Sequence, residues 1–279
     1  MPTITFSPTA QNHSPVKYLH QYPRQLQQLI HQLQENPYLS PAQTKTAVEQ
    51  ANLSATDLMP WASFDHPATD SYGRQLVFHG GHFEIMVMSW LPGDFSAIHD
   101  HGSTQWGAVQ SFGQADHLIY QLEGDRLSSP ESAPYKPGMV RAVDNDLIHQ
   151  MGNKSASPFL SLHVYGCANA SNSITGNARV FNLFENSIQY TDGGVFFALT
   201  EDLINDRHYG LTAETDTALI HHYLMRDRLQ HILDNAAIAP QPEPQRTQYL
   251  RQKLTALQAA IQTLQLSAAS RTSIANRFS

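Results

Sequence analysis

Cysteine is nearly absent from this chain. One, Cys167, stands among 279 residues, so no internal disulfide can form, and the chain reads as one of a reducing, cytoplasmic compartment. Charge is sparse as well. Charged residues make up 15% of the composition and the formal net charge is -7. No basic block is present to neutralise phosphates, which excludes a general affinity for nucleic acid. Long apolar runs are also missing. The most apolar stretch, Phe83 to Leu91, is too short to span a bilayer and is interrupted by Glu84 and Ser89. Met1 to Gln11 lacks the charged-then-apolar order of a secretion signal, so neither export nor a membrane is expected. What is present is a hydrophobic content of 41%, enough for a folded core.

The pattern of that content changes twice along the chain. Residues 1–60 read as a helical segment that packs on a barrel formed by the middle of the chain. Tyr22, Leu26, Leu29, Ile30 and Leu33 recur at helical spacing, and Ser40-Pro41 supplies a cap followed by proline at the first helical position. From 61 to 200, short apolar runs such as Phe83–Met88, Leu118–Tyr120, Met139–Val143 and Phe159–Tyr165 alternate with Gly, Pro, Asn and Asp. Many short strands of this kind predict a mostly β sandwich or barrel. Residues 201–279 read as a helical extension. There Leu250, Leu254, Leu257, Ile261 and Leu264 alternate steps of four and three, as in a coiled-coil seam. The seam suits packing on the barrel or a neighbouring helix, or pairing of two copies into a homo-oligomer. An extended linker is read at Ala239 to Pro244.

The chain has 15 histidines, and only spacing can separate ligands from the rest. In a strand, residues i and i+2 share a face, so His99 and His101 project into one space. Gly93, then five residues, His99-x-His101, four residues, Trp106, six residues and Gly113 resemble the first motif of the cupin fold. His149-Gln150-Met151-Gly152-Asn153 has the spacing of the second. Trp106 stands where that first motif carries a glutamate ligand, and Asp144 and Asp146 replace a proline and a glycine of the second. Without the glutamate, three neutral imidazoles remain. Such a set suits zinc with one open position or iron(II) with several.

Tyr72-Gly73-Arg74-Gln75-Leu76, Phe83–Trp90, Ile98–His101, Leu147–His149 and Ser161–Tyr165 follow one another in an order that resembles the cysteine dioxygenases, over roughly residues 70–170. The resemblance implies a cupin barrel with helices at both ends and one Fe(2+) per chain on His99, His101 and His149. It implies a small thiol and O2 as substrates, with Arg74 pairing with the substrate carboxylate and Tyr72 beside it. It further implies a Ser161–His163–Tyr165 chain whose tyrosine hydroxyl lies near the reacting groups. L-cysteine is the expected substrate. Another small thiol such as 3-mercaptopropionate, whose dioxygenases tend to carry glutamine at the Arg74 position, is one alternative. A metal-binding cupin sensor without catalysis is another.

The residues themselves agree with these roles. An arginine fork suits a carboxylate, and Ser161, His163 and Tyr165 alternate along one strand face. Mammalian members crosslink the tyrosine to a cysteine. This chain has Trp106 there, or Gly107 with a one-residue shift, and so resembles bacterial-type members. His79, His82, His117 and Cys167 read as structural. His13, His20, His31, His221, His222 and His231 read as solvated. The C-terminal helices contribute no motif residue and are expected to be dispensable for chemistry.

Overall fold

The N-terminal apolar stripe forms one buried helix face. In the computed structural model, which describes residues 19–168, 173–236 and 244–278, helix α1 (Arg24–Gln34) buries Leu26, Leu29, Ile30 and Leu33. Each contributes about 1.5–3 kcal/mol by leaving water. The Met1–Gln11 stretch, His13 and the linker at 239–243 lie outside the described residues. Helix α2 (Pro41–Ala51) starts where Ser40-Pro41 predicts. Ser40 Oγ accepts from the Gln43 N–H at 3.2 Å, and Gln43 Oε1 accepts from the Ser40 N–H at 2.8 Å. A short helix, α3 (Ala55–Leu58), completes this layer.

The first sheet comprises β1 (Gly73–His79), β2 (Phe83–Trp90), β3 (Trp106–Ser111), β8 (Val140–Val143) and β10 (Phe159–Gly166). Its antiparallel order is β1-β2-β10-β3-β8. Every residue of β2 and β10 is buried, which is why both read as largely apolar runs, with Glu84, Ser89, Ser161 and His163 as their polar members. Phe83, Ile85, Val87, Leu160, Leu162 and Val164 form one apolar cluster with Leu26, Leu29, Ile30 and Leu33 of α1. Met86, Met88, Trp90 and Tyr165 belong to the opposite, inner cluster.

The second sheet is assembled from two ladders. β4 (Asp116–Tyr120), β7 (Glu131–Ser132) and β9 (Ile148–Gly152) run in the order β7-β4-β9. β11 (Ala178–Asn182), β12 (Ser187–Thr191) and β13 (Asp206–Tyr209) form the other ladder. The extended chain at His99 joins them, bridging His149 of β9 on one side and Val180 of β11 on the other. Met151, Ala178 and Val180 of this sheet share the inner cluster with Met86 and Met88 of the first. The two antiparallel sheets thus enclose one interior, the double-stranded β-helix arrangement of a cupin. β5 (Leu122–Glu123), β6 (Arg126–Leu127) and β14 (Thr212–Ala213) form a small outer sheet.

The helical reading of 201–279 needs correction at its start. Residues 206–213 supply β13 and β14 as additions to existing strands, and Asp206–Tyr209 has no apolar alternation that could announce a strand. Helices α4 (Thr215–Ala236) and α5 (Pro244–Phe278) follow. The seam residues Leu250, Leu254, Leu257 and Ile261 are buried within the chain, in the same cluster as Met225, Leu229 and Ile232 of α4. Arg228 of α4 pairs with Asp94 at 2.8 Å, both side chains about 5% exposed or less, and donates to the Asp70 carbonyl. Among the described residues no helix is long and apolar enough to cross a membrane.

Candidate metal centre

His99, His101 and His149 converge in the barrel interior, each offering a nitrogen within 4.8 Å of the others. The sequence pattern predicts a regular strand for the segment that carries the first two. It is instead extended chain held by single bridges, yet the i, i+2 relation survives, with the rings of His99 and His101 5.4 Å apart. His99 and His149 exchange backbone hydrogen bonds at 2.9 and 2.8 Å, which seats the segment against β9. The side chain between the two ligands points the other way. Asp100 accepts from the Arg179 N–H at 2.8 Å and from Arg179 Nε at 2.5 Å, tying the segment to β11. The chain then turns at Gly102, where φ is +53 and an added Cβ would sit 2.2 Å from the Gly176 carbonyl oxygen. No other residue type suits that turn.

Burial sets the chemistry of these rings. It pushes His99 down to about 4 and, with the neighbouring imidazoles, His101 and His149 well below their ordinary value. All three are neutral at physiological pH, so lone pairs are available to a cation. His99 Nδ1 donates to the Ala97 carbonyl at 2.9 Å, leaving its Nε2 bare. The Nε2 atoms of His149 and His101 approach to 3.2 Å. Three convergent, neutral, nitrogen-only donors fit ferrous iron or zinc.

The cavity beside them has about 40 Å³ of room, space for a small ligand. Its wall carries every residue picked out from the sequence except Ser161: Arg74, Tyr72, His163 and Tyr165 line it with the three histidines. Ser161 stands behind His163. The Trp90 indole N–H donates to Ser161 Oγ at 2.8 Å, and Ser161 Oγ meets His163 Nε2 at 2.7 Å. His163 Nδ1 meets the Tyr165 hydroxyl at 2.8 Å. Trp90 can only donate, and of the groups that meet Ser161 Oγ among the described residues His163 Nε2 is the one able to accept its proton. With the proton passed that way, His163 Nδ1–H donates to Tyr165 Oη and the phenolic proton is free for the cavity. Burial pushes the Tyr165 hydroxyl up and His163 down to about 3, so both stay neutral. Arg74 is half-buried, and among the described residues its guanidinium has no hydrogen-bond or ion-pair partner. Tyr72 is buried against Trp90, ring centroids 4.7 Å apart, and its hydroxyl accepts from the Val195 N–H at 3.4 Å.

Several sequence readings change. Trp106 does not occupy the ligand position of the motif. Its ring belongs to the helix-facing cluster and its Nε1 donates to the Pro37 carbonyl at 3.2 Å. Gly107, one residue on, is the residue opposite Tyr165. Asp144 replaces the motif's rigid turn by accepting from the Asp146 and Leu147 N–H groups, both at 3.1 Å. His221 and His222 are buried, not solvated. His117, read as structural, reaches a ligand: its Nε2 lies 2.8 Å from His149 Nδ1. Only the β4–β9 register could have revealed that, since 32 residues separate the two.

A barrel of this fold enclosing a three-histidine centre is a metal-binding cupin. The family model for cysteine dioxygenase type I matches residues 13–170, and the chain belongs to that family. A curated cysteine dioxygenase type 1 from Danio rerio is 28% identical over 153 residues, covering 51% of this chain and 75% of its own. Two solved structures are also similar. An uncharacterized conserved protein with a double-stranded beta-helix domain from Klebsiella pneumoniae matches 41% of this chain and 90% of its own, at 19% identity and a TM-score of 0.33. TT1209 from Thermus thermophilus matches 41% and 98%, at 22% identity and a TM-score of 0.33. Family and site together fit a thiol dioxygenase.

Proposed function

We propose that this chain oxidises the thiol of L-cysteine with O2 to cysteine sulfinic acid, at one ferrous iron held by His99, His101 and His149. The observation that carries the choice of an amino-acid thiol is Arg74. A half-buried guanidinium with no hydrogen-bond or ion-pair partner among the described residues, on the wall of a metal-site cavity, is a waiting partner for an anion. A planar fork suits a carboxylate in particular.

Ferrous iron held by these three histidines would supply the redox chemistry that lets a thiol react with O2. The protein's own residues do the rest. Arg74 binds the carboxylate and so sets how far the sulfur reaches, with Tyr72 beside it as a rigid wall. Three neutral ligands leave the cation's charge uncompensated, which favours the deprotonated thiol. Met86, Met88, Met151 and Val195 line the remaining wall and exclude water. Tyr165 holds its hydroxyl proton toward the reacting groups, and His163, backed by Ser161 and Trp90, fixes that hydroxyl's direction. In this reading residues 61–200 supply the catalytic barrel, the described residues of 1–60 cover its outer face, and the described residues of 201–279 brace it. The lone buried Cys167 suits a reducing, cytoplasmic setting.

The test compares thiols on the iron-loaded full chain. Cysteine should give the highest kcat/KM for sulfinate formation, above cysteamine, which lacks the carboxylate, and 3-mercaptopropionate, which lacks the amine. A higher value for either of these would overturn cysteine as the substrate.

A further inference from the structure

A histidine that ligates through Nε2 must carry its proton on Nδ1, and a hydrogen-bond partner decides whether it does. A carbonyl can only accept, so it forces the proton onto the nitrogen it faces. His99 is fixed in this simple way by Ala97. His149 is not. Its Nδ1 meets another imidazole, His117 Nε2, at 2.8 Å.

His117 is itself fixed. Its Nδ1 lies 3.1 Å from the Ala133 carbonyl, and its own carbonyl accepts from the Ala133 N–H at 2.8 Å, so one residue grips it twice. The Ala133 oxygen cannot donate, hence His117 Nδ1 holds the proton and His117 Nε2 can only accept. His149 Nδ1 must then donate, and its Nε2, turned toward His101, is left bare. The relay is rigid. His117 is 2% exposed and packs edge-on against Tyr135, with ring centroids 5.1 Å apart. In the β4–β9 ladder it pairs with Met151, two places along from His149, on the same face. His101 has no comparable support, its Nδ1 making no well-aligned hydrogen bond among the described residues and having only the Asp144 backbone nearby.

We infer that His117 is a positioning residue for the metal, fixing the tautomer and ring plane of ligand His149 through a two-imidazole chain that ends on the Ala133 carbonyl. Its chemistry differs from the carboxylate often found behind a ligating histidine. A neutral imidazole orients His149 without adding negative charge, so the all-neutral donor set keeps its character.

The inference rests on the three-histidine site as a metal site, and its test separates the two. Cobalt(II) binding to the full chain would be measured by competition with a chromophoric chelator for the unmutated protein, His117→Gln and His117→Met. Glutamine keeps an acceptor for the His149 N–H, whereas methionine fills similar space without a comparable one. His117→Met should weaken binding about 10- to 100-fold, with His117→Gln clearly closer to the unmutated protein. Melting of the metal-free forms should show both variants folded. Equal affinity in His117→Met, or a glutamine variant as weak as the methionine one, would overturn the role. Nitrogen-15 NMR of the metal-free, unmutated protein decides independently of any variant that fails to fold. The Nδ1–H tautomer is expected for both His117 and His149, and an Nε2–H tautomer on His149 would overturn the inference. An unmutated chain that binds no cobalt would instead count against the metal site, while the tautomers would still judge the relay.

Discussion

Tyr165 and Gly107 are direct partners in the β3–β10 ladder. A Cβ added at Gly107 would meet the Tyr165 ring at 3.3 Å and the Val164 carbonyl oxygen at 2.4 Å. The glycine therefore lets β3 lie close beneath the tyrosine, and it offers no sulfur to it. Intact-protein mass should equal that of the unmodified sequence, and a mass lower by two hydrogens would contradict this. Gly107→Ala should destabilise the fold by about 1–3 kcal/mol through overpacking, read from urea unfolding.

Arg74→Gln separates substrate recognition from structure. A desolvated charge pair lost to a bound carboxylate costs on the order of 2–5 kcal/mol. The variant's kcat/KM should fall far more for cysteine than for cysteamine. Equal losses for both would mean that Arg74 does not bind the carboxylate.

Tyr165→Phe keeps the ring and removes the hydroxyl proton aimed at the cavity. Iron content and cysteine affinity should hold, while turnover slows roughly 10- to 1000-fold, as when one transition-state donor is lost. His163→Ala should act in the same direction by a smaller factor, because the donor remains but is less well oriented. An unchanged rate of sulfinate formation in Tyr165→Phe would remove the phenol from the mechanism.

Much of this was legible in the sequence because the residues involved sit in short, ordered motifs. The i, i+2 pairs His99/His101 and His163/Tyr165 each declare a shared face, and the fully buried β2 and β10 show themselves as largely apolar runs. What was not legible depends on register between distant segments. His117 meets His149 only because β4 pairs with β9, and Gly107 rather than Trp106 faces Tyr165 only because of the β3–β10 alignment. Arg228 reaches Asp94 only through the packing of α4, which no local spacing announces.

That last contact gives α4 a part in holding the turn that leads to His99, apart from whether the C-terminal helices are needed for chemistry. Asp94 accepts from the Leu91 N–H at 2.7 Å as well as from Arg228, with His66 Nε2 3.3 Å away, in the turn that leads to His99. Arg228→Met leaves that carboxylate buried without its cation, a loss of about 3–5 kcal/mol. Chemical denaturation should show it, together with poorer metal retention. A variant as stable as the unmutated chain would show that α4 does not brace the turn.

Acid should weaken the fold through its buried neutral histidines. Burial, with His222 and Lys253 nearby, pushes His221 down to about 3, against an ordinary value of 6.5. Between those values the unfolded chain binds the extra proton, so stability present above about pH 6.5 is lost as the pH falls toward 3. The cost is on the order of 1–3 kcal/mol per such histidine by about pH 4.5. Melting temperature of the metal-free protein should fall over that range, and His221→Leu, which also removes an Nδ1 with no partner among the described residues, should flatten the fall. An equally steep curve in the variant would contradict this source.

Incorporation of both atoms of one O2 into one product separates thiol dioxygenation from metal binding alone. Iron-loaded protein given cysteine under oxygen-18 gas should yield cysteine sulfinic acid carrying two labelled oxygens, with one O2 consumed per cysteine. Sulfinate with a single label, or O2 uptake that yields only the disulfide of cysteine, would contradict thiol dioxygenation at the His99–His101–His149 centre.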